Sequence, residues 1–250
     1  PWHATAEFVD NAIQSYIENK RKLKNIHKDF KLTIDINISS SQIEIKDNAG
    51  GISEENYVRA FRAGARPKNS DGLSEFGMGM KTAGCWFSNN WTVRSKALGE
   101  KFSREIKWDL NKIEKNESTG LKAIKTRMPK NSHFTNIILK ELNHRPKTRS
   151  IERIKSHLTA MYRVFINRGD VIIKYNGKAL KLEEKNILRA VNIKDVDADI
   201  KNPKKIFWKK KFEFDFKTNC KHGSHTAKGY ACILDPMDSK KSGFGLFRRD

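Results

Sequence analysis

Apolar residues at the start of the chain recur with helical spacing: Phe8, Ala12 and Tyr16, and beside them Val9, Ile13 and Ile17, sit at i, i+4 and i+8. Side chains at that spacing line one stripe of an α-helix, so the pattern predicts an amphipathic helix that runs out into a basic stretch over residues 20–31. The period then changes. Leu32-Thr-Ile-Asp-Ile-Asn-Ile38 alternates apolar and polar residues, three serines at 39–41 interrupt, and Gln42-Ile-Glu-Ile-Lys46 resumes. This predicts two strands joined by a tight turn, the second running straight into Asp47-Asn48-Ala49-Gly50-Gly51. Residues 53–63 have helical spacing, 64–75 are rich in turn formers and poor in apolar anchors, and 82–87 predict a short helix of small and aromatic residues. Strands are predicted at 91–96, 101–108, 121–127 and 134–140. This order of elements is that of an α+β fold with a mainly antiparallel sheet covered on one face.

The stretch Asn143-His-Arg-Pro-Lys-Thr-Arg149 has no periodicity and predicts a linker between a first domain, 1–142, and a second, 143–250. The second opens on an amphipathic helix at about 150–166, continues with Val171-Ile-Ile-Lys-Tyr175 and an Asn176-Gly177 hairpin turn, and later alternates again over Phe212-Glu-Phe-Asp-Phe216. No internal repeat is visible. With 250 residues, 37% of them hydrophobic, the chain can bury a real core, which excludes a disordered tail. No window approaches the ~18 apolar residues of a membrane span, and the mean hydropathy of −0.71 agrees. Three scattered cysteines, Cys85, Cys220 and Cys232, exclude a disulfide framework and predict a reducing, cytoplasmic compartment. The chain opens on Pro1 without an initiating Met or an apolar leader, which predicts a piece of a longer protein with further domains. Fifty Lys and Arg against 29 Asp and Glu give a net charge of +21. That balance points to an anionic partner, although Lys-rich solvated faces produce it too.

Three short segments carry candidate chemistry. Glu7 and Asn11 lie one helical turn apart on one face, where a carboxamide can offer Mg²⁺ a neutral oxygen and a carboxylate can take a proton from water. Asp47 stands where a strand ends and a Gly-containing turn begins, a position from which a carboxylate can accept from an exocyclic amine such as that of adenine. Gly77-Met78-Gly79-Met80-Lys81 sets bare backbone amides before a helix, an anion site with Lys81 as an added charge. Taken singly, each has an ordinary structural explanation: solvated helix residues, an Asx turn, a tight loop. The spacing Gly72-x4-Gly77 imitates a phosphate loop, but Met78-Gly79 follow where Lys-Ser/Thr is required. A dinucleotide fingerprint fails for want of a βαβ pattern.

In this order and spacing the segments resemble the GHKL superfamily of ATPases, which includes DNA gyrase B, the ninety-kilodalton heat-shock chaperones, histidine kinases, and the MutL and MORC proteins. The likeness covers roughly residues 1–140. Ala6-Glu7-Phe8-Val9-Asp10-Asn11-Ala12 is similar to the family's Glu-x3-Asn box and implies Glu7 as general base and Asn11 as Mg²⁺ ligand. Asp47-Asn48-Ala49-Gly50-Gly51 is similar to the Asp-x-Gly-x-Gly box, with Ala49 in place of the first glycine. It implies that Asp47 reads adenine, with Asn48 and Gly51 against the base. Ser74-Glu75-Phe76-Gly77-Met78-Gly79 is similar to the Gly-x-Phe-Gly-x-Gly box, with Ser74 for its first glycine. Gly77, Met78, Gly79, Met80 and Lys81 would hold the phosphates behind an ATP lid at 64–75. The late Gly-Thr box keeps Thr135 but not its glycine.

The resemblance implies a Bergerat-type helix-on-sheet sandwich followed by a smaller S5-like α/β transducer domain, with ATP and Mg²⁺ as cofactors and pairing into an ATP-bound homodimer. Glu7 beside Asn11 suits hydrolysis rather than kinase chemistry, and the opening motif looks most like the MORC/MutL side. A transducer lysine sensing the γ-phosphate would be Lys240 or Lys241. The basic runs at 20–31 and 201–211, the latter with Phe207 and Trp208 interleaved, predict non-specific contact with DNA phosphates. Cys220, His222, His225 and Cys232 match no standard zinc spacing, so no metal beyond Mg²⁺ is expected. The sequence leaves open a DNA-associated ATPase switch in repair, chromosome handling or defence, a chaperone-like ATPase acting on protein clients, and an ATP-sensing domain regulating a larger effector.

Overall fold

The opening apolar stripe forms one face of α1 (Trp2–Ile26) in the computed structural model, which describes residues 1–61, 79–115, 122–181, 186–192, 205–217, 224–236 and 243. Phe8, Val9, Ala12, Ile13 and Tyr16 are buried along it. The helix continues through the basic stretch because Leu23, fully buried, extends the stripe while Arg21, Lys22 and Lys24 face solvent. The alternating segments become β1 (Leu32–Ile38) and β2 (Gln42–Asp47), paired antiparallel. Then come α2 (Glu54–Phe61), α3 (Gly79–Phe87), β3 (Ser88–Lys96), β4 (Phe102–Asp109), the short α4 (Leu110–Glu114), β5 (Ile124–Arg127) and β6 (Phe134–Leu142). They are followed by α5 (Thr148–Met161), α6 (Arg163–Asn167), β7 (Val171–Tyr175) and β8 (Lys178–Ala179). The amphipathic segment expected as one helix over about 150–166 is broken at Tyr162, whose backbone (φ −101°, ψ 17°) leaves the helical region.

The strands form one eight-stranded sheet in the order β5-β4-β3-β6-β2-β1-β7-β8, with β1 and β7 parallel and the other neighbours antiparallel. Residues directly opposite one another share a face, so the register defines rows across the sheet. Ile36, Ile45, Ile137, Val93 and Ile106 make one buried apolar row. The next row toward the end of β2 is different: Ile34, Asp47, Thr135, Ser95 and Arg104, all buried and four of them polar. α1 packs against β1, α3 and α5, and α3 against β3. The fold is therefore the expected α+β helix-on-sheet sandwich.

The chain divides into two compact units, 1–182 and 183–250. Residues 143–182 belong to the first through α5 on α1 and the β1–β7 pairing. In the second unit β9 (Arg189–Val191) pairs antiparallel with β10 (Lys205–Phe207), and β11 (Lys209–Lys217) with β12 (Ser224–Cys232). Among the described residues no helix is long and apolar enough to cross a membrane.

Candidate functional site

Glu7 and Asn11 project from successive turns of α1. Asn11 Nδ2 donates to Glu7 O at 2.7 Å, which fixes the carboxamide against the helix and leaves its oxygen for a ligand. Glu7 stands on the exposed side of α1, yet protein along one flank desolvates its carboxylate and lifts its pKa above the ordinary value, while His3 one turn back pulls the other way. The start of α3 stands at that carboxylate. A β-carbon on Gly79 would meet Glu7 Oε2 and lie 2.6 Å from its Cδ, closer than real β-carbons come. Glycine at 79 leaves the Glu7 carboxylate its place at the start of α3, beside the positive helix end; any side chain there would push that carboxylate aside. Asp10, one residue before Asn11, is partly buried; desolvation pushes its pKa up to about 6 against the pull of a hydrogen bond from Tyr162, and the charge of Glu7 adds to the rise.

Asp47 sits in the polar row and is 8% exposed. Its Oδ1 accepts the Ala49 N–H at 2.9 Å, closing the turn. Burial pushes its pKa up to about 7, held back by the N–H groups of Ala49 and Thr135. Thr135 Oγ1 lies 3.1 Å from Ser95 Oγ, which accepts the Ile52 N–H at 2.8 Å, so the row ties the strand ends to the turn. Asn48 is committed to the scaffold: its Oδ1 accepts the Thr33 N–H at 2.7 Å and its Nδ2 donates to Lys31 O at 3.1 Å. Gly51 has φ +72° and a β-carbon there would collide with Lys96 O. Lys96 itself is fully buried, with Nζ donating to Ala97 O (2.7 Å), Glu100 O (2.7 Å) and Ser132 O (3.2 Å). Burial draws its pKa down.

The two ends of the site meet along α1. Ser15 Oγ donates to Gly51 O at 3.4 Å, and a β-carbon on Gly50 would lie 2.9 Å from Asn19 Cβ, so the Asp47 turn rests on α1 at residues 15–19. Glu7 is eight residues before Ser15, about 12 Å along a helix rising 1.5 Å per residue. The Asp47 turn and the Gly79 end of α3 thus both meet α1, about two turns apart. Met80 packs against the core, and buried Lys81 donates to Ala60 O at 3.2 Å, its pKa drawn down by burial and then by Arg59. Gly77, Met78, the 64–75 segment, Lys240 and Lys241 lie outside the described residues. Sequence reasoning passed over Ser95, Lys96 and the hydroxyl of Tyr162. Tyr162 did carry a signal, since Ile154, Leu158 and Tyr162 continue one helical stripe and all are buried.

A family model described as histidine kinase-, DNA gyrase B- and HSP90-like ATPase matches residues 1–141. No curated protein sequence matches the chain. Among solved structures, the chain is similar to the ATPase region of Saccharomyces cerevisiae topoisomerase II, with a TM-score of 0.51 and 17% identity over 72% of this chain and 48% of that one. The same region bound to ICRF-187 (dexrazoxane) gives a TM-score of 0.51 and 19% identity over 73% and 49%. The chain thus spans about half the length of these structures, and at this identity the likeness is one of fold.

Proposed function

The chain belongs to the family of histidine kinase-, DNA gyrase B- and HSP90-like ATPases, the GHKL ATPases, and from that premise we propose that it binds ATP with Mg²⁺ along α1, hydrolyses it slowly, and uses the nucleotide to gate the pairing of two copies in a DNA-associated protein. The observation that carries this reading is the geometry of α1: the Asp47 turn rests on it at Ser15 and Asn19, and the Gly79 end of α3 rests on it at Glu7.

In this proposal Asp47 accepts from the adenine amine, Gly51 lets backbone approach the base, and Thr135 completes the polar row beside it. Asn48 braces the turn. The N-terminus of α3, from Gly79, with Met80 and Lys81 behind it and Gly77 and Met78 before it, receives the phosphates. Glu7, desolvated and therefore a stronger base than a free carboxylate, takes a proton from the attacking water. Among the described residues no cluster of three or more His, Cys, Asp or Glu exists to cage a metal, whereas Asn11 offers one oxygen; that donor set suits a magnesium ion carried mainly by phosphate and water. When bound, the ion would neutralise phosphate charge and orient the γ-phosphate.

In this reading residues 143–250 act as a transducer-like part of the chain, although 143–182 pack within the first compact unit, and the opening Ala-Glu-Phe-Val-Asp-Asn-Ala motif favours the MORC/MutL side. A cytoplasmic location belongs to the same proposal. The test is ATP turnover by the purified chain together with its mass by light scattering, with and without a non-hydrolysable ATP analogue. The account expects slow turnover and an analogue-dependent doubling of mass, both lost in Asp47→Asn; a monomer that neither binds nor cleaves ATP contradicts it.

A further inference from the structure

We propose that Tyr162 is a positioning residue of this site: from the α5–α6 junction its hydroxyl pins the turn of α1 that carries Glu7 and Asn11. The inference rests on the functional reading above. Tyr162 is 3% exposed, and its single hydroxyl proton is shared between Asp10 Oδ1 at 2.8 Å and Ala6 O at 3.1 Å. Ala6 immediately precedes Glu7, and Asp10 immediately precedes Asn11, so each acceptor adjoins one of the two residues.

A second tertiary contact reaches the same stretch of α1. Besides the Tyr162 bond, the Trp2 ring stacks on His157 with centroids 3.9 Å apart and planes 12° from parallel. Both contacts come from the element that follows the motif-bearing part of the chain, so a shift of α5 would move the Glu7 turn directly.

The test compares the full chain with Tyr162→Phe, Asp10→Ala, the double variant and Glu7→Gln. Tyr162→Phe keeps the buried ring and removes the bond. Expected are a fall in kcat of about fivefold or more with ATP affinity within about twofold, and faster amide hydrogen exchange confined to the first turns of α1. Asp10→Ala should show a similar loss, and the double variant no more than the larger single loss, as for partners in one bond. A wild-type kcat in Tyr162→Phe, additive losses, or faster exchange throughout the chain would overturn the proposal. The parent reading fails separately: it falls if Glu7→Gln turns over ATP at the wild-type rate, whereas an inactive Glu7→Gln beside a fully active Tyr162→Phe removes only the positioning role.

Discussion

Burying Asp47 raises its pKa to about 7, so near neutrality the folded chain still holds a proton that the unfolded chain, with an ordinary aspartate, has released. Between about pH 4 and 7 the folded state binds more protons than the unfolded one, so this group's contribution to stability falls as pH rises through that window. At about 1.4 kcal/mol per pKa unit the ceiling is a few kcal/mol. Asp47→Asn should therefore gain stability relative to wild type between pH 5 and pH 8 in urea melts, while losing nucleotide affinity by tenfold or more; parallel pH profiles would contradict the burial account. Gly79 makes the complementary case. A methyl at 79 has nowhere to go but the Glu7 carboxylate, so Gly79→Ala should cut kcat at least tenfold while thermal unfolding stays within a few degrees. An unchanged kcat would show that α3 does not set the position of Glu7.

At the scale of elements, Lys96 shows what pattern alone conceals. In an alternating strand a lysine reads as solvent-facing, yet Lys96 is fully buried and its ammonium holds three carbonyls from two loops. Lys96→Met should cost about 3 kcal/mol in chemical denaturation, because those carbonyls lose their donor; a change below about 1 kcal/mol would mean that water replaces it. The strands β1, β2, β3, β4 and β6 and the helix α2 were legible because each buries one face, and burial writes its period into the sequence, whereas β5 is exposed along its length. The break at Tyr162 was not, since a continuous apolar stripe over Ile154, Leu158 and Tyr162 is the same whether the helix continues or turns. Nor was the parallel pairing of β7 with β1, a contact between residues about 140 apart that no local pattern encodes. Glu7, Asn11, Asp47 and the glycines were legible as motifs; Ser95, which joins Thr135 to the turn, was not, because its role exists only across the β3–β6 register.

For the whole molecule, the charge of +21 ranks partners more than it identifies function. Part of the first basic run is structural, since Lys20 pairs with Asp170 at 3.0 Å, while Arg21, Lys22, Lys24, Lys28 and Lys31 remain exposed. If that surface meets DNA, affinity should fall linearly in a log–log plot against salt, and each lysine removed from a phosphate contact should shallow the slope by about one unit; salt-indifferent binding would contradict the DNA proposal. The claim on which everything else depends is that α1 places Glu7 as the base for ATP hydrolysis. Steady-state turnover of Glu7→Gln, with ATP binding measured by calorimetry on the same sample, tests it most directly. A loss of at least about 100-fold in kcat with affinity within about threefold is the predicted result; turnover near the wild-type rate would contradict it.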